Sequence, residues 1–227
     1  MNKINVVESV LKANDAVARE NRRRLDAAGV ATLNLMSAPG SGKTTLLEKT
    51  IATLGPNAAA VLVGDLQTTR DAERLGHVAS QVTQINTGKG CHLTAPEVAA
   101  GLDSLDLRGL RYLFIENVGN MVCPAAFDLG EHRRVALLSV PEGDDKVAKY
   151  PTLFQAADVI LLTKVDLIEV LDYNPTRVRD DLGRINTRAP LIEISAKTGR
   201  GMDAWLAWVR EQRSGASGAG LEADCRR

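Results

Sequence analysis

Near the start of the chain, apolar residues fall at Val7, Val10, Leu11, Val17 and Ala18, spacings of three and four that place them along one side of a helix. Asn14 is the one polar residue on that stripe. The pattern predicts a helix over residues 4–28, closed by Gly29. After Gly29 the period changes. Short runs rich in Val, Leu and Ile alternate with helical spacing, and they predict strands over residues 32–36, 59–64, 112–116, 135–140, 159–163 and 191–194. Between and after them, helices are expected over residues 44–54, 69–77, 152–157, 175–185 and 202–211. Strand and helix in alternation imply an α/β fold: a mostly parallel, doubly wound sheet flanked by helices, with the N-terminal helix added.

Composition narrows the function classes. The 227 residues carry 28 Lys plus Arg against 28 Asp plus Glu, so the formal net charge is zero. That balance argues against a protein that coats nucleic acid or an acidic membrane surface, and neither is expected as a partner. An apolar share of 44% supplies a sizeable core. Three cysteines do not make a disulfide framework and point to a reducing compartment. No run approaches the roughly 18 apolar residues of a membrane span. The polar start Met1-Asn2-Lys3-Ile4-Asn5 does not read as a signal peptide, so a cytoplasmic location is expected. The expected organisation is a helical extension over 1–29, one nucleotide-binding domain over 30–212 and a disordered tail over 213–227. Cys225, in that Gly-, Ala- and Ser-rich tail, has no evident role. Arg22-Arg23-Arg24 reads as the solvated end of the first helix, where cations suit the dipole.

The first predicted strand runs into Ser37-Ala38-Pro39-Gly40-Ser41-Gly42-Lys43-Thr44, and a helix follows. Strand, glycine-rich loop and helix in that order make a P-loop. Gly40 and Gly42 let successive amides converge on phosphate oxygens beside the positive end of the helix. Pro39, Ser41 and Thr45 complete the expected phosphate contacts; Lys43 reaches the β and γ phosphates and the Thr44 hydroxyl suits Mg²⁺. Ser37 stands where the general pattern has its first glycine.

The base is chosen further along. Thr163-Lys164-Val165-Asp166 follows a predicted strand, and the Asp166 carboxylate can accept both hydrogens from guanine N1 and N2, a donor pair adenine lacks. Lys164 can lie along the base and sugar. Thr163 replaces the usual Asn, which weakens one contact. Ser195-Ala196-Lys197, at another strand end, matches the second guanine-contacting loop, so GTP/GDP is expected rather than ATP. Asp65 closes one middle strand and is the carboxylate best placed for Mg²⁺, through water. Glu116-Asn117-Val118-Gly119 closes the next, where the Gly119 amide would sense the γ-phosphate and Glu116 would hold Mg²⁺ or the attacking water, or simply cap the strand.

Cys91, His92 and Cys123 remain. Thiolate and imidazole together suit Ni²⁺ or Zn²⁺ rather than Mg²⁺, and a two-fold dimer could complete a three-ligand site. The bland alternative is a buried thiol beside a surface His. Lys146, in a Gly-Asp-Asp loop, is expected to reach a nucleotide across such a dimer, or else to be a solvated loop lysine.

Taken together, these stretches resemble the HypB GTPases. The resemblance rests on Lys12-Ala13-Asn14-Asp15 and Asn21-Arg22, Ser37 to Thr44, Gly64-Asp65-Leu66, Asp71-Ala72-Glu73-Arg74, Gly90-Cys91-His92-Leu93, Glu116 to Pro124 and Glu142-Gly143-Asp144-Asp145-Lys146. It covers about residues 4 to 211. The resemblance implies a SIMIBI-class GTPase that dimerises with GTP and binds Ni²⁺ or Zn²⁺ at Cys91, His92 and Cys123. It further implies assistance in inserting nickel into [NiFe]-hydrogenase, with a HypA-like metallochaperone as partner and the hydrogenase large subunit reached indirectly. The Cys-rich or His-rich N-terminal stretch of some members is missing here, as the three histidines of the whole chain show. The urease accessory GTPase UreG shares the P-loop and guanine motifs, and the Cys91-His92 pair with the Glu116 to Pro124 stretch favours HypB. A metal-binding scaffold with structural GTP, or an ordinary signalling GTPase, are the remaining readings.

Overall fold

The computed structural model describes residues 6–65, 69–88 and 90–216. The polar start, Leu66, Lys89 and Cys225 lie outside them. The chain opens with α1 (Val6–Ala28) and continues through β1 (Ala31–Met36), α2 (Lys43–Leu54), β2 (Ala59–Asp65), α3 (Arg70–Gly76), β3 (Gln81–Asn86), α4 (Ala95–Asp103) and β4 (Tyr112–Glu116). The second half holds β5 (Arg133–Ser139), α5 (Lys146–Lys149), α6 (Pro151–Gln155), β6 (Val159–Thr163), α7 (Pro175–Ile185), β7 (Leu191–Ile194) and α8 (Met202–Ala216).

All seven strands pair in parallel, in the order β3-β2-β4-β1-β5-β6-β7. β1 is central, and it is buried along its whole length, as a parallel strand covered on both faces is. Its side chains alternate: Ala31, Leu33 and Leu35 pack with Leu46, Leu47 and Ile51 of α2 and Trp205 of α8. The opposite face divides in two. Met36, Leu138 and Leu162 meet Phe154 and Val178 of α6 and α7, while Leu62, Leu113 and Ile115 meet Leu25 of α1 and Val98 of α4. Between these two apolar clusters runs a buried polar seam. In it the Asn117 amide donates to Asn34 Oδ1 at 3.2 Å and the Asn34 amide donates to Glu131 Oε1 at 3.4 Å.

The predicted α/β architecture is the observed one, with local differences. The sequence reading lacks β3, α4 and α5. β3 is an edge strand that alternates Gln, Val, Thr, Gln, Ile and Asn, too polar to stand out as an apolar run. α4 opens with a capping box in which the Glu97 carboxylate accepts from the Thr94 amide and hydroxyl. α5 is a single turn. β5 begins at Arg133 and stops at Ser139, because Ser139 and Glu142 form a second capping box that turns Val140 out of the strand. α8 continues to Ala216, past residue 211. No helix among the described residues is long and apolar enough to cross a membrane.

Candidate nucleotide and metal site

The carboxyl ends of β1, β2 and β4 surround a cavity of about 430 Å³, placed where open parallel sheets hold ligands. Its floor is the loop from β1 to α2. Gly42 takes φ 99°, a left-handed conformation that costs glycine little. That turn starts α2 with a residue that has no side chain to cap the first amides, so they remain for an anion. Lys43 is almost fully buried at the base of the loop and donates to Ser37 Oγ at 3.0 Å. Ser41 also donates to Ser37, whose own hydroxyl donates to Ala38 O. The residue that departs from the P-loop pattern is therefore the one that holds the loop's lysine. Burial pulls the Lys43 ammonium below its ordinary value, and Glu116 works in the opposite direction.

Thr44, the next residue, donates to Glu116 Oε1 at 2.8 Å. The other Glu116 oxygen is buried and finds no hydrogen-bond partner among the described residues. Burial pushes this carboxyl up to about 7, with Lys43 and Thr44 pulling it back. A hydroxyl, an orphaned buried carboxylate oxygen and Asp65 on the same cavity wall form an all-oxygen set that fits Mg²⁺. Gly119 closes the other wall. A Cβ there would come within 2.9 Å of Pro39 N and Cα, so only glycine lets the strand end lie against the phosphate loop. Asp71 and Arg74 of α3 line the cavity too. Arg74 is held by the two oxygens of Glu48, at 3.0 and 2.6 Å, and by Thr45 at 3.0 Å. Sequence reasoning did not select either as a site residue. Their spacing of three on a helix directly after the Asp65 strand was the available signal.

The two stretches expected to contact guanine meet at an adjoining pocket of about 230 Å³, bounded by Thr163, Lys164, Asp166, Ser195, Ala196 and Lys197. Thr163 is buried and donates to Ser41 O at 2.7 Å, so this position braces the phosphate loop. Lys164, at φ 60°, donates to Gly40 O at 2.7 Å. The Ser195 hydroxyl hydrogen-bonds Asp166 and is the main cause holding its carboxyl below the ordinary range. A carboxylate kept ionised in a narrow pocket is suited to a paired N–H donor. Lys146 lies elsewhere. It starts α5, 6.0 Å from the Tyr150 ring centroid, on a shallow pocket shared with Asn120 and Val122 and outside the phosphate cavity.

Cys91, His92 and Cys123 converge although they come from two loops. One ligand atom from each lies within 4.8 Å of the others, and Cys91 Sγ is 3.4 Å from His92 Nδ1. The His92 ring packs against Phe127, with centroids 3.9 Å apart and the planes tilted by 31°. Burial draws the imidazole below its ordinary value, against Glu97, which favours a neutral ring able to ligate. Cys91 pushes the Cys123 thiol upward through a shared hydrogen bond. Two thiols and an imidazole form a soft donor set suited to Ni²⁺ or Zn²⁺. The first loop is tied to the nucleotide cavity: Asn117 Oδ1 accepts from the Leu93 amide at 3.1 Å, and the Leu93 side chain packs so closely on Gly64 that a Cβ would meet it at 2.8 Å.

The sequence model of the CobW/HypB/UreG nucleotide-binding domain matches residues 31–193. The hydrogenase maturation factor HypB of Azotobacter chroococcum is 48% identical over 221 residues, 97% of this chain and 72% of that protein. The crystal structure of HypB from Helicobacter pylori in complex with nickel is similar at a TM-score of 0.86 and 40% identity, covering 89% of this chain and 96% of that one. HypB from Archaeoglobus fulgidus gives 0.84 and 39%, covering 89% and 100%.

Proposed function

The chain belongs to the HypB branch of the CobW/HypB/UreG family, the hydrogenase maturation factors, and on that premise we propose that it is a GTP-hydrolysing metallochaperone whose nucleotide state governs a nickel cargo. The observation that carries this reading is the Asn117–Leu93 hydrogen bond, which fixes the loop of Cys91 and His92 to the strand end that carries Glu116. A phosphate-sensing strand end and a metal loop joined in this way form a two-site device.

In this mechanism the loop amides from Gly40 to Thr45 and the Lys43 ammonium hold the phosphates of GTP, and Asp166 with Ser195 selects guanine. Thr44, Asp65 and Glu116 are the residues that would hold Mg²⁺, which when bound neutralises charge on the β and γ oxygens. Gly119 offers its amide to the γ-phosphate, and loss of that phosphate on hydrolysis lets the strand end relax. Asn117 carries the change to Leu93 and so to His92. Two protomers brought together by GTP would complete the cargo's coordination, with Lys146 of each reaching the nucleotide of the other. A HypA-like protein then exchanges nickel with this site in the cytoplasm, on the way to the hydrogenase large subunit. Zn²⁺ satisfies the same donors.

Phosphate release from GTP and from ATP, with and without Ni²⁺, tests the proposal directly. The expected result is slow hydrolysis of GTP only, lost in Lys43→Ala, and Ni²⁺ binding lost in Cys91→Ala and Cys123→Ala. Equal turnover of ATP, or unchanged Ni²⁺ binding in both cysteine variants, overturns it.

A further inference from the structure

We infer that Asn14 and Asn21 of α1 are positioning residues of the metal centre, clamping together the two loops that bring Cys91-His92 and Cys123 into one site. The inference rests on the proposed cargo site and adds the residues that hold its halves in register.

Asn14 sits on the apolar stripe of α1, where an aliphatic residue would satisfy packing. It is nevertheless buried, and its two amide atoms reach different loops. Its Oδ1 accepts from the Ala95 amide at 2.8 Å, and its Nδ2 donates to Asp128 O at 2.7 Å. Asn21, two turns later and fully buried, joins the same two segments through one atom: its Nδ2 donates to Ala95 O at 2.9 Å and to Leu129 O at 3.0 Å. Ala95 lies three residues after His92. Asp128 directly follows Phe127, whose ring packs against His92 and whose carbonyl, with that of Ala125, accepts from Arg134 at 3.4 and 3.3 Å. Each asparagine thus bridges the loop leaving His92 to the segment leaving Cys123. A carboxamide carries its acceptor and its donor on separate atoms, so it can accept from one backbone and donate to another some distance away. Groups that orient metal ligands without touching the metal typically change affinity by about ten- to a hundredfold when removed.

The test uses the full chain with Asn14→Ala, Asn21→Ala and Asn14→Asp, and Arg23→Ala as a surface control on the same helix. Three quantities are read: Ni²⁺ affinity, GDP affinity, and the rate at which diamide closes a Cys91–Cys123 disulfide in metal-free protein. Asn14→Asp keeps the acceptor for Ala95 and turns the donor to Asp128 O into a carboxylate oxygen that repels it, so it reads the clamp even where Asn21→Ala fails to fold. The clamp predicts Ni²⁺ binding weaker by about tenfold or more, slower disulfide closure and GDP affinity within a few-fold of the parent, with Arg23→Ala unchanged. Parental Ni²⁺ affinity and closure rate in both Asn14 variants overturn it. So does a loss of Ni²⁺ affinity matched by an equal loss of GDP affinity, since that is general destabilisation. Should the parent bind no Ni²⁺ at these thiols while closure still slows in the variants, the cargo reading fails and the clamp stands.

Discussion

Asn117 Oδ1 accepts the Leu93 amide at 3.1 Å, so the residue after Glu116 holds the residue after His92. Asn117 also donates to Asn34 in the buried seam, which leaves its carboxamide little freedom to reorient. Replacing it with leucine, close in volume, removes the tie and keeps the packing. The expected outcome is that Ni²⁺ binds with the same affinity in the GTP-analogue and GDP states. In the parent the two should differ by a coupling of about 1–3 kcal/mol. Nickel titrations in both nucleotide states measure this, and a preserved difference in the variant would remove Asn117 from the coupling.

Among the described residues, the Ser37 hydroxyl is the side-chain group that accepts from the buried Lys43 ammonium. In Ser37→Ala the nucleotide-free protein leaves that ammonium unpaired, at a cost of about 1–3 kcal/mol. Phosphate oxygens replace the serine once GDP binds. The variant should therefore melt well below the parent without nucleotide and close to it at saturating GDP. Thermal unfolding in both conditions is the check, and an equal deficit in both would show that Ser37 acts elsewhere.

Gly119→Ala places a methyl 2.9 Å from Pro39, and the phosphate loop or the strand end must shift. Misplacement of a γ-phosphate donor by about 1 Å can cost up to a hundredfold in rate. GTP hydrolysis should fall by about that much, with GDP affinity nearly unchanged because GDP has no γ-phosphate. Single-turnover kinetics and GDP titration separate the two.

His132 accepts from the Thr32 amide through Nδ1 at 3.0 Å and faces Asp26 through Nε2 at 2.8 Å. An accepting Nδ1 requires the neutral ring, and burial lowers the pKa below its ordinary 6.5 in spite of Asp26. The unfolded chain therefore binds the proton more readily than the folded one. Stability from this residue is present above the unfolded value of 6.5 and is lost as pH falls through the lowered folded value. Denaturant unfolding at about pH 7.5 and about pH 5.5 should show a larger loss in the parent than in His132→Gln, and equal losses would exclude His132 as the source.

The parallel sheet, the loop from β1 to α2 and the meeting of the Thr163–Asp166 and Ser195–Lys197 stretches were legible because each announces itself locally, as an apolar run or as glycines and charges at fixed offsets. Leu191–Ile194 and Tyr112–Glu116 are found at the expected bounds for that reason. What stayed hidden depends on distant pairing. Asn14 looks like an interruption of an apolar stripe until Ala95 and Asp128 are seen beside it. Thr163 looks like a weakened base contact until its hydroxyl is found on Ser41 O. Ser37 looks like a defect in the loop until Lys43 is found against it. A polar residue at an unexpected position carries the information that a partner exists and none about where.

The reach of α1 also bears on the order of events during synthesis. Its asparagines are separated from their partners by between 74 and 114 residues along the chain. A nascent chain that has not yet passed Leu129 has the helix and the Cys91-His92 pair in hand but lacks what joins them to Cys123. A metal ion arriving at that stage meets a fragment of the site with no fixed shape. On the proposed function, loading then belongs to the finished protein and not to the nascent chain.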